Sequence, residues 1–304
     1  MKENHKAGFV ALVGRPNTGK STLINALVGE KIAIISDKPQ TTRSLIRGII
    51  SKDGYQILIV DTPGIHKPKT SLGARLNELS KEAIQDVELI AMCFPADQKI
   101  GPGDQFIINQ IKNSKKPLFA LITKSDLVSK NELLEKLNEV SLVGEVDWSQ
   151  IIPISSMSRE NLETLESKIV EYLPISPVLY PSELVTDQDL EKRISELIRE
   201  AALEDLTEEL PHSVAVLIDE IFEADSKKGK ILKIFASIYV ERDSQKVILI
   251  GAQGSRLKKI GSEARKEIEK ITSQKVFLDI RIKIASDWQS DAKLLSKLGF
   301  DQYN

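Results

Sequence analysis

The stretch GRPNTGKS, Gly14 to Ser21, constrains the fold more than any other part of the chain. It matches G-x-x-x-x-G-K-[ST] at every fixed position, follows the apolar run FVALV and opens a helical pattern, which demands strand, glycine-rich turn and helix in that order. Gly14 and Gly19 let backbone N–H groups wrap an anion, and the helix N-terminus adds a field that favours one. Arg15, Pro16, Asn17, Thr18 and Thr22 complete the cradle. Lys20 is expected to bring positive charge to the outer phosphates of a nucleotide, and Ser21 a hydroxyl to magnesium.

From Gly8 to about Leu173, short apolar runs (FVALVG, LIRGII, YQILIV, ELIAMCF, LFALI, IIPIS) alternate with helical patterns. Such alternation predicts an α/β unit with a mostly parallel sheet, and KDG between the second and third runs predicts one antiparallel hairpin. Ligands of such sheets bind beyond the carboxyl ends of the strands. PISPVLYPSEL, 174–184, carries three prolines and predicts an extended linker. The expected division is therefore 1–173, linker 174–184, and a smaller α+β domain over 185–304. In the latter a charged helical pattern (187–206) precedes two strand-like runs joined by SKKGK, then helices and a last strand, VFLDIRIKI.

Four further stretches stand in the expected loops. IVDTPG ends the third strand, placing Asp61 to hold magnesium, with Thr62 and Pro63 leading to Gly64, whose N–H can meet a γ-phosphate. Thr42, in SDKPQTTRS, is the candidate second hydroxyl ligand of magnesium, with Thr41 competing. Lys20, Thr42 and Gly64 thus form the candidate catalytic set. In TKSD, Asp126 can accept both donors on one edge of guanine, Lys124 can lay its stem along the purine, and Thr123 can offer a hydroxyl where relatives offer asparagine. Ser155 and Ser156, in ISSMS, are expected near the base carbonyl. Ile65 follows the glycine of the third motif and cannot orient water, so slow hydrolysis or another device is expected; a potassium ion held through Asn17 is one such device.

The single Cys93 excludes an internal disulfide and reads as a buried, inert thiol, and the three histidines show no metal-ligand spacing. A net charge of −2 restricts any nucleic-acid contact to a local patch. No apolar run is long enough to span a bilayer and no secretory signal is evident, which places the chain in the cytoplasm.

GRPNTGKS, QTTR, DTPG and TKSD in this order, then LPHSVAV, IYVERDSQKVILIGAQGSRLKKIGSEARKEIE and a tryptophan near the end, resemble the bacterial Era family of GTPases over nearly the whole chain. The resemblance implies a Ras-like P-loop GTPase domain followed by a type II KH domain, and GTP or GDP with magnesium. It further implies GTP hydrolysis, binding of small-subunit ribosomal RNA in small-subunit assembly, a monomer, and peripheral association at the inner face of the cell membrane. Gly251, Ala252, Gln253, Gly254 and Ser255 would form the G-x-x-G loop where nucleotide backbone approaches closely. Arg256, Lys258 and Lys259 crowd a helix start, where the dipole disfavours cations; phosphate contact would account for them. Leu257, Ile260, Ala264, Ile268 and Ile271 mark that helix's buried face. KVILI reads locally as strand, whereas the family makes it helix, and the family is followed. A regulatory switch docking a protein or anionic membrane through this patch, or an adaptor that binds nucleotide without hydrolysis, stays open on the residues alone.

Overall fold

Strands β1 (Lys6–Val13), β3 (Tyr55–Asp61), β4 (Leu89–Pro95), β5 (Leu118–Thr123) and β6 (Gln150–Pro153) run parallel, with β2 (Ile46–Lys52) antiparallel at the edge, in the order β2-β3-β1-β4-β5-β6. This computed structural model describes residues 4–35, 45–63, 70–204, 206, 213–226 and 229–298. It divides into two units, Met1–Lys69 with Gly73–Asp187, and Thr70–Leu72 with Gln188–Asn304.

The central strands are apolar on both sides because helices cover both faces. Val10 and Leu12 of β1 point to the face covered by α1 (Lys20–Val28) and α5 (Leu162–Tyr172), packing with Leu23, Ile24 and Leu165. Ala11 and Val13, one residue out of phase, join Ile107, Ile108 and Val140 of α3 (Pro102–Ile111) and α4 (Lys130–Leu142) on the other. Each fully buried Ile or Leu contributes about 1.5–3 kcal/mol. Helix α2 (Ser71–Gln85) lies between β3 and β4 in sequence. The β2–β3 hairpin turns at Asp53-Gly54, as KDG predicts, with Gly54 at φ 91°. All five parallel strands end at one edge of the sheet, and the motif loops emerge there.

The proline-rich stretch is extended and hydrogen-bonded to the sheet's flank. Ser176 N donates to His5 O (2.9 Å), and the Gln56 amide accepts from Leu179 N (2.9 Å) and Tyr180 N (3.0 Å) and donates to Tyr180 O (2.8 Å). Ile49 N then donates to Val185 O (2.9 Å), and Arg47 pairs with Asp187 at 2.6 Å.

The second unit runs α6 (Leu190–Leu203), β7 (Ala215–Ser226), β8 (Gly229–Val240), α7 (Asp243–Ile250), α8 (Ser255–Thr272), β9 (Lys275–Ile284) and α9 (Ala292–Lys297). Its sheet has the order β7-β8-β9, the first pair antiparallel and the second parallel. Helix, two strands, two helices and a strand is the type II KH order. Ile194 and Ile198 of α6 and Ile260, Ala264 and Ile268 of α8 pack on Leu232, Ile234, Ala236 and Ile238; Leu257 and Ile271 are only half-buried. KVILI is helical: the Gln245 side chain accepts from Glu241 N (2.8 Å) and Arg242 N (3.2 Å), capping α7, and Leu249 is drawn into the core. Trp288 is wholly buried, its indole N–H donating to Ser213 O at 2.9 Å.

Candidate functional site

The cradle forms because β1 ends at Val13 and the chain turns back into α1 within six residues. Gly14 needs its small size: a Cβ there would lie 2.8 Å from Thr18 Oγ1 and 3.1 Å from the Cys93 carbonyl. Asn17 takes φ 63°, a left-handed geometry that asparagine tolerates. Thr18 is buried and its hydroxyl donates to Arg15 O (3.0 Å). Pro16 and Gly19 are half-buried between them, and Thr22 is half-buried in the first turn of α1.

Lys20 curls into the loop, Nζ donating to Gly14 O (3.0 Å) and Arg15 O (2.8 Å). Burial lowers its pKa from the ordinary lysine value, while the Asp61 carboxylate pulls it back up. Ser21 Oγ donates to Asp61 Oδ2 at 2.8 Å, so hydroxyl and carboxylate, 40 residues apart, meet at the cradle's mouth. This donor set fits a hard divalent cation whose other ligands are phosphate oxygens and water. Among the described residues no group of three or more His, Cys, Asp or Glu could hold a metal by itself. Thr62 is buried, its hydroxyl donating to Leu12 O (2.7 Å) and tying β3 to β1. Pro63 follows, its carbonyl meeting the Ser80 hydroxyl at 3.1 Å. Thr42, Gly64 and Ile65, with the competing Thr41, lie outside the described residues.

Thr123 is buried at the end of β5. Its hydroxyl donates to Thr18 O (2.7 Å), in a buried bond between the base loop and the phosphate loop. The position expected to offer a hydroxyl in asparagine's place thus also ties the two loops together. Lys124 adopts φ 58° with its ammonium 4.0 Å from Asp97, and Asp126 sits exposed on the single 3-10 turn Ser125–Leu127. Ser155 is buried; its Oγ accepts from Ser158 N (3.1 Å), so its side chain shapes the loop, with Ser156 half-exposed beside it.

Three positioning residues escaped the sequence reading. Asn25 accepts from Ile32 N and Ala33 N (2.9 Å each) and donates to Ala33 O (2.7 Å), pinning the segment after α1. Asp104, buried, accepts from Arg15 Nε (2.8 Å) and from Gly101 N (2.9 Å), latching the phosphate loop to the start of α3. Gly103 leaves room for the Arg15 stem, 2.7 Å from where a Cβ would stand. Ser80 is the third. Only Asp104 has a legible signal, an acid in the first turn behind Gly-Pro.

In the second unit Gly251 (φ 70°), Gln253 (φ 51°) and Gly254 (φ 77°) shape a tight loop with exposed Ala252, Gln253 and Ser255. A Cβ on Gly251 would stand 2.8 Å from Arg256 Cβ. Two of the cations at the start of α8 also have partners within the fold. Arg256 Nη2 donates to the Glu204 carbonyl (2.6 Å) at the end of α6, and Lys259 lies 3.8 Å from the Glu204 carboxylate and 3.9 Å from that of Glu263. Lys258 is exposed.

A phosphate cradle, a hydroxyl–carboxylate pair at its mouth and a T-K-x-D loop tethered to it define a P-loop GTPase, here carrying a KH module. Residues 9–124 match the family model described as 50S ribosome-binding GTPase, and 209–289 match the KH domain model. Relatives named GTPase Era include that of Corynebacterium diphtheriae, 51% identical with 98% of each chain covered, and that of Nocardioides sp., 48% identical over 97% of this chain and 96% of the relative. A crystal structure of Era in complex with MgGDPNP and nucleotides 1506–1542 of 16S ribosomal RNA superposes with a TM-score of 0.93, at 36% identity, over 98% of this chain and 100% of that one. The chain belongs to the Era family of GTPases.

Proposed function

We propose that this GTPase couples GTP hydrolysis to the binding and release of small-subunit ribosomal RNA, in assembly of the small ribosomal subunit and maturation of its RNA. The nucleotide unit is assigned to 1–173, with 174–184 as linker and the KH unit over 185–304. The backbone amides of residues 14–22 would surround the phosphates. Lys20, held inward on the Gly14 and Arg15 carbonyls, would exchange those contacts for phosphate oxygens, an arrangement suited to stabilising charge that builds up during transfer. Ser21 and Asp61 would hold magnesium, joined by Thr42. When bound, the ion neutralises charge on the β- and γ-phosphates. Gly64 would meet the γ-phosphate, with Thr62 and Pro63 positioning it. Asp126 would read guanine, Lys124 would cover the purine, and Ser155 and Ser156 would frame the base carbonyl. Potassium held through Asn17 would replace the water-orienting residue that Ile65 cannot be.

The observation that carries this reading is the Ser21–Asp61 contact at 2.8 Å, which brings a hydroxyl and a carboxylate suited to magnesium to one point. On the RNA side, Gly251–Ser255 with Arg256, Lys258 and Lys259 would clamp the nucleotide backbone. The Era structure in complex with nucleotides of 16S ribosomal RNA supports small-subunit ribosomal RNA as the partner. The chain would act in the cytoplasm as a monomer, with peripheral membrane association; no helix among the described residues is long and apolar enough to cross a membrane.

The test is single-turnover hydrolysis by the full chain, with GTP or ATP, in potassium or sodium, with and without an RNA carrying the 3′ end of small-subunit ribosomal RNA. GTP-specific phosphate release, faster in potassium and altered by that RNA, is expected. ATP hydrolysed equally well would overturn the base assignment, equal rates in the two salts would remove the potassium role, and no response or binding to RNA would remove the partner.

A further inference from the structure

In the KH unit the even-numbered residues Leu232, Ile234, Ala236 and Ile238 of β8 and Val276, Leu278, Ile280 and Ile282 of β9 face the helices. The odd-numbered residues therefore face the other side of the sheet. On β7 the register shift between Ile218 and Glu220 moves Phe222 to that same side, opposite Lys233 of β8, which in turn lies beside Phe277 of β9. One transverse row thus reads Phe222, Lys233, Phe277, with Phe235 in the next row touching both rings. Centroids are 6.3 Å apart for Phe222 and Phe235, whose planes are nearly parallel at 18°, and 6.0 Å apart for Phe235 and Phe277. Phe222 is 40% exposed and Phe277 47%. Three neighbouring, solvent-facing phenylalanines are hard to explain as core packing, since the core of this unit lies on the opposite face.

Charge selects the partner. Lys233 stands 5.9 Å from the Phe222 ring centroid, and Lys275, two residues before Phe277, is exposed on the same side. Further along the face, Arg281 is matched by Asp279 (3.8 Å) and Lys283 by Asp219 (3.5 Å). Phe235 itself lies between Glu220 and Asp279, the latter paired with Arg281, so the cations of the aromatic end are Lys233 and Lys275 in and beside the Phe222–Phe277 row. Rings with lysines beside them offer a single-stranded nucleic acid flat apolar faces for its bases and cations for its backbone. A membrane-inserting patch would call for many branched aliphatic side chains projecting outward, and among the described residues of this face Leu217 of β7 and Ile231 of β8 are added to the rings.

We infer that the outer face of the KH sheet, centred on Phe222, Phe235 and Phe277 with Lys233 and Lys275, is a second RNA contact that stacks unpaired bases without sequence preference, separate from the Gly251–Gly254 loop. It rests on the reading of this unit as an RNA-binding module, and extends the bound length of a single strand beyond what the loop clamps.

The experiment uses the full chain, a labelled twelve-residue oligouridylate RNA, and three proteins: unaltered, Ala252→Asp/Gln253→Asp, and Phe222→Leu/Phe277→Leu. Leucine keeps apolar volume and removes the flat ring. Salt-sensitive binding that survives in the loop variant and falls roughly tenfold in the ring variant is expected. Binding abolished by the loop variant and unchanged in the ring variant overturns the platform and leaves the loop reading intact. Binding changed by neither overturns both. Photocrosslinking of 5-bromouridine RNA to unaltered protein guards against a folding defect: adducts on peptides containing Phe222, Phe235 or Phe277 support the platform, and adducts confined to 251–259 overturn it. A ring variant that loses only self-association or binding to anionic vesicles, with RNA binding intact, also overturns it.

Discussion

The hydroxyl of Thr123 donates to the backbone carbonyl of Thr18 at 2.7 Å, joining the loop after β5 to the phosphate loop where both are buried. A substitution that removes the hydrogen leaves that carbonyl unsatisfied, at a cost of about 1–3 kcal/mol. Thr123→Val should weaken GTP and GDP about equally, by roughly ten- to a hundredfold on that scale, with the preference for GTP over ATP unchanged. Thr123→Asn, which keeps a donor, should recover most of the loss. Nucleotide titration decides the matter: a selective loss of guanine preference in Thr123→Val would return Thr123 to the base.

Asp126→Asn should do the reverse. Its carboxylate can accept two hydrogen bonds from guanine, and each charge-assisted bond contributes about 1.5–3 kcal/mol. An amide NH2 would face the guanine amino group, donor against donor. The expected outcome is a loss of GTP affinity of about a hundredfold or more and a gain for xanthosine triphosphate, which presents a carbonyl in place of that amino group. Unchanged GTP binding would contradict the assignment.

Ser21→Ala removes the hydroxyl that meets Asp61. GTP affinity should then become nearly independent of added magnesium, and single-turnover hydrolysis should fall by roughly tenfold or more, as expected for loss of a direct ligand. Titration with and without a chelator is the measurement. A variant whose magnesium dependence matches the parent would show that another residue holds the ion.

Cys93 sits behind the phosphate loop, and burial pushes its thiol up to about 12, opposed by Lys20 and assisted by Asp61. In the unfolded chain the thiol ionises at its ordinary, lower pKa. Between that value and about 12 the native state therefore holds a proton that the unfolded state has released, so stability falls as pH rises through this window. Lys20, whose pKa burial lowers, acts in the opposite sense, so the comparison must be between parent and Cys93→Ala. The parent should lose about 1 kcal/mol more than the variant between pH 8 and 10 in urea midpoints. Equal slopes would show an accessible or already ionised thiol.

The candidate nucleotide site is legible as far as its motifs are local: GRPNTGKS, DTPG and TKSD each follow directly on the end of a strand. What escaped depends on distant partners. Thr123 bonds across 105 residues, and Gln56 fixes Tyr180 across 124, so a linker read from its prolines as merely extended is held along its length. Arg256 and Lys259, for which the sequence offers phosphate contact, also meet Glu204 at the end of α6, a partner more than fifty residues away. In KVILI the β-branched residues favour a strand, and only the Gln245 cap and the burial of Leu249 tip it to helix. The family resemblance supplied that assignment; the periodicity did not.

Asn25 lies one helical turn beyond Ser21, and its amide closes three bonds onto residues 32 and 33. The short span between them is therefore a ruler of fixed length: a residue gained or lost at 29–31 could not be absorbed locally, and would shift where the chain departs toward Thr42. Within that connection Gly29 is itself held to a left-handed φ of 83°, so the ruler fixes the number of residues and the identity of its first.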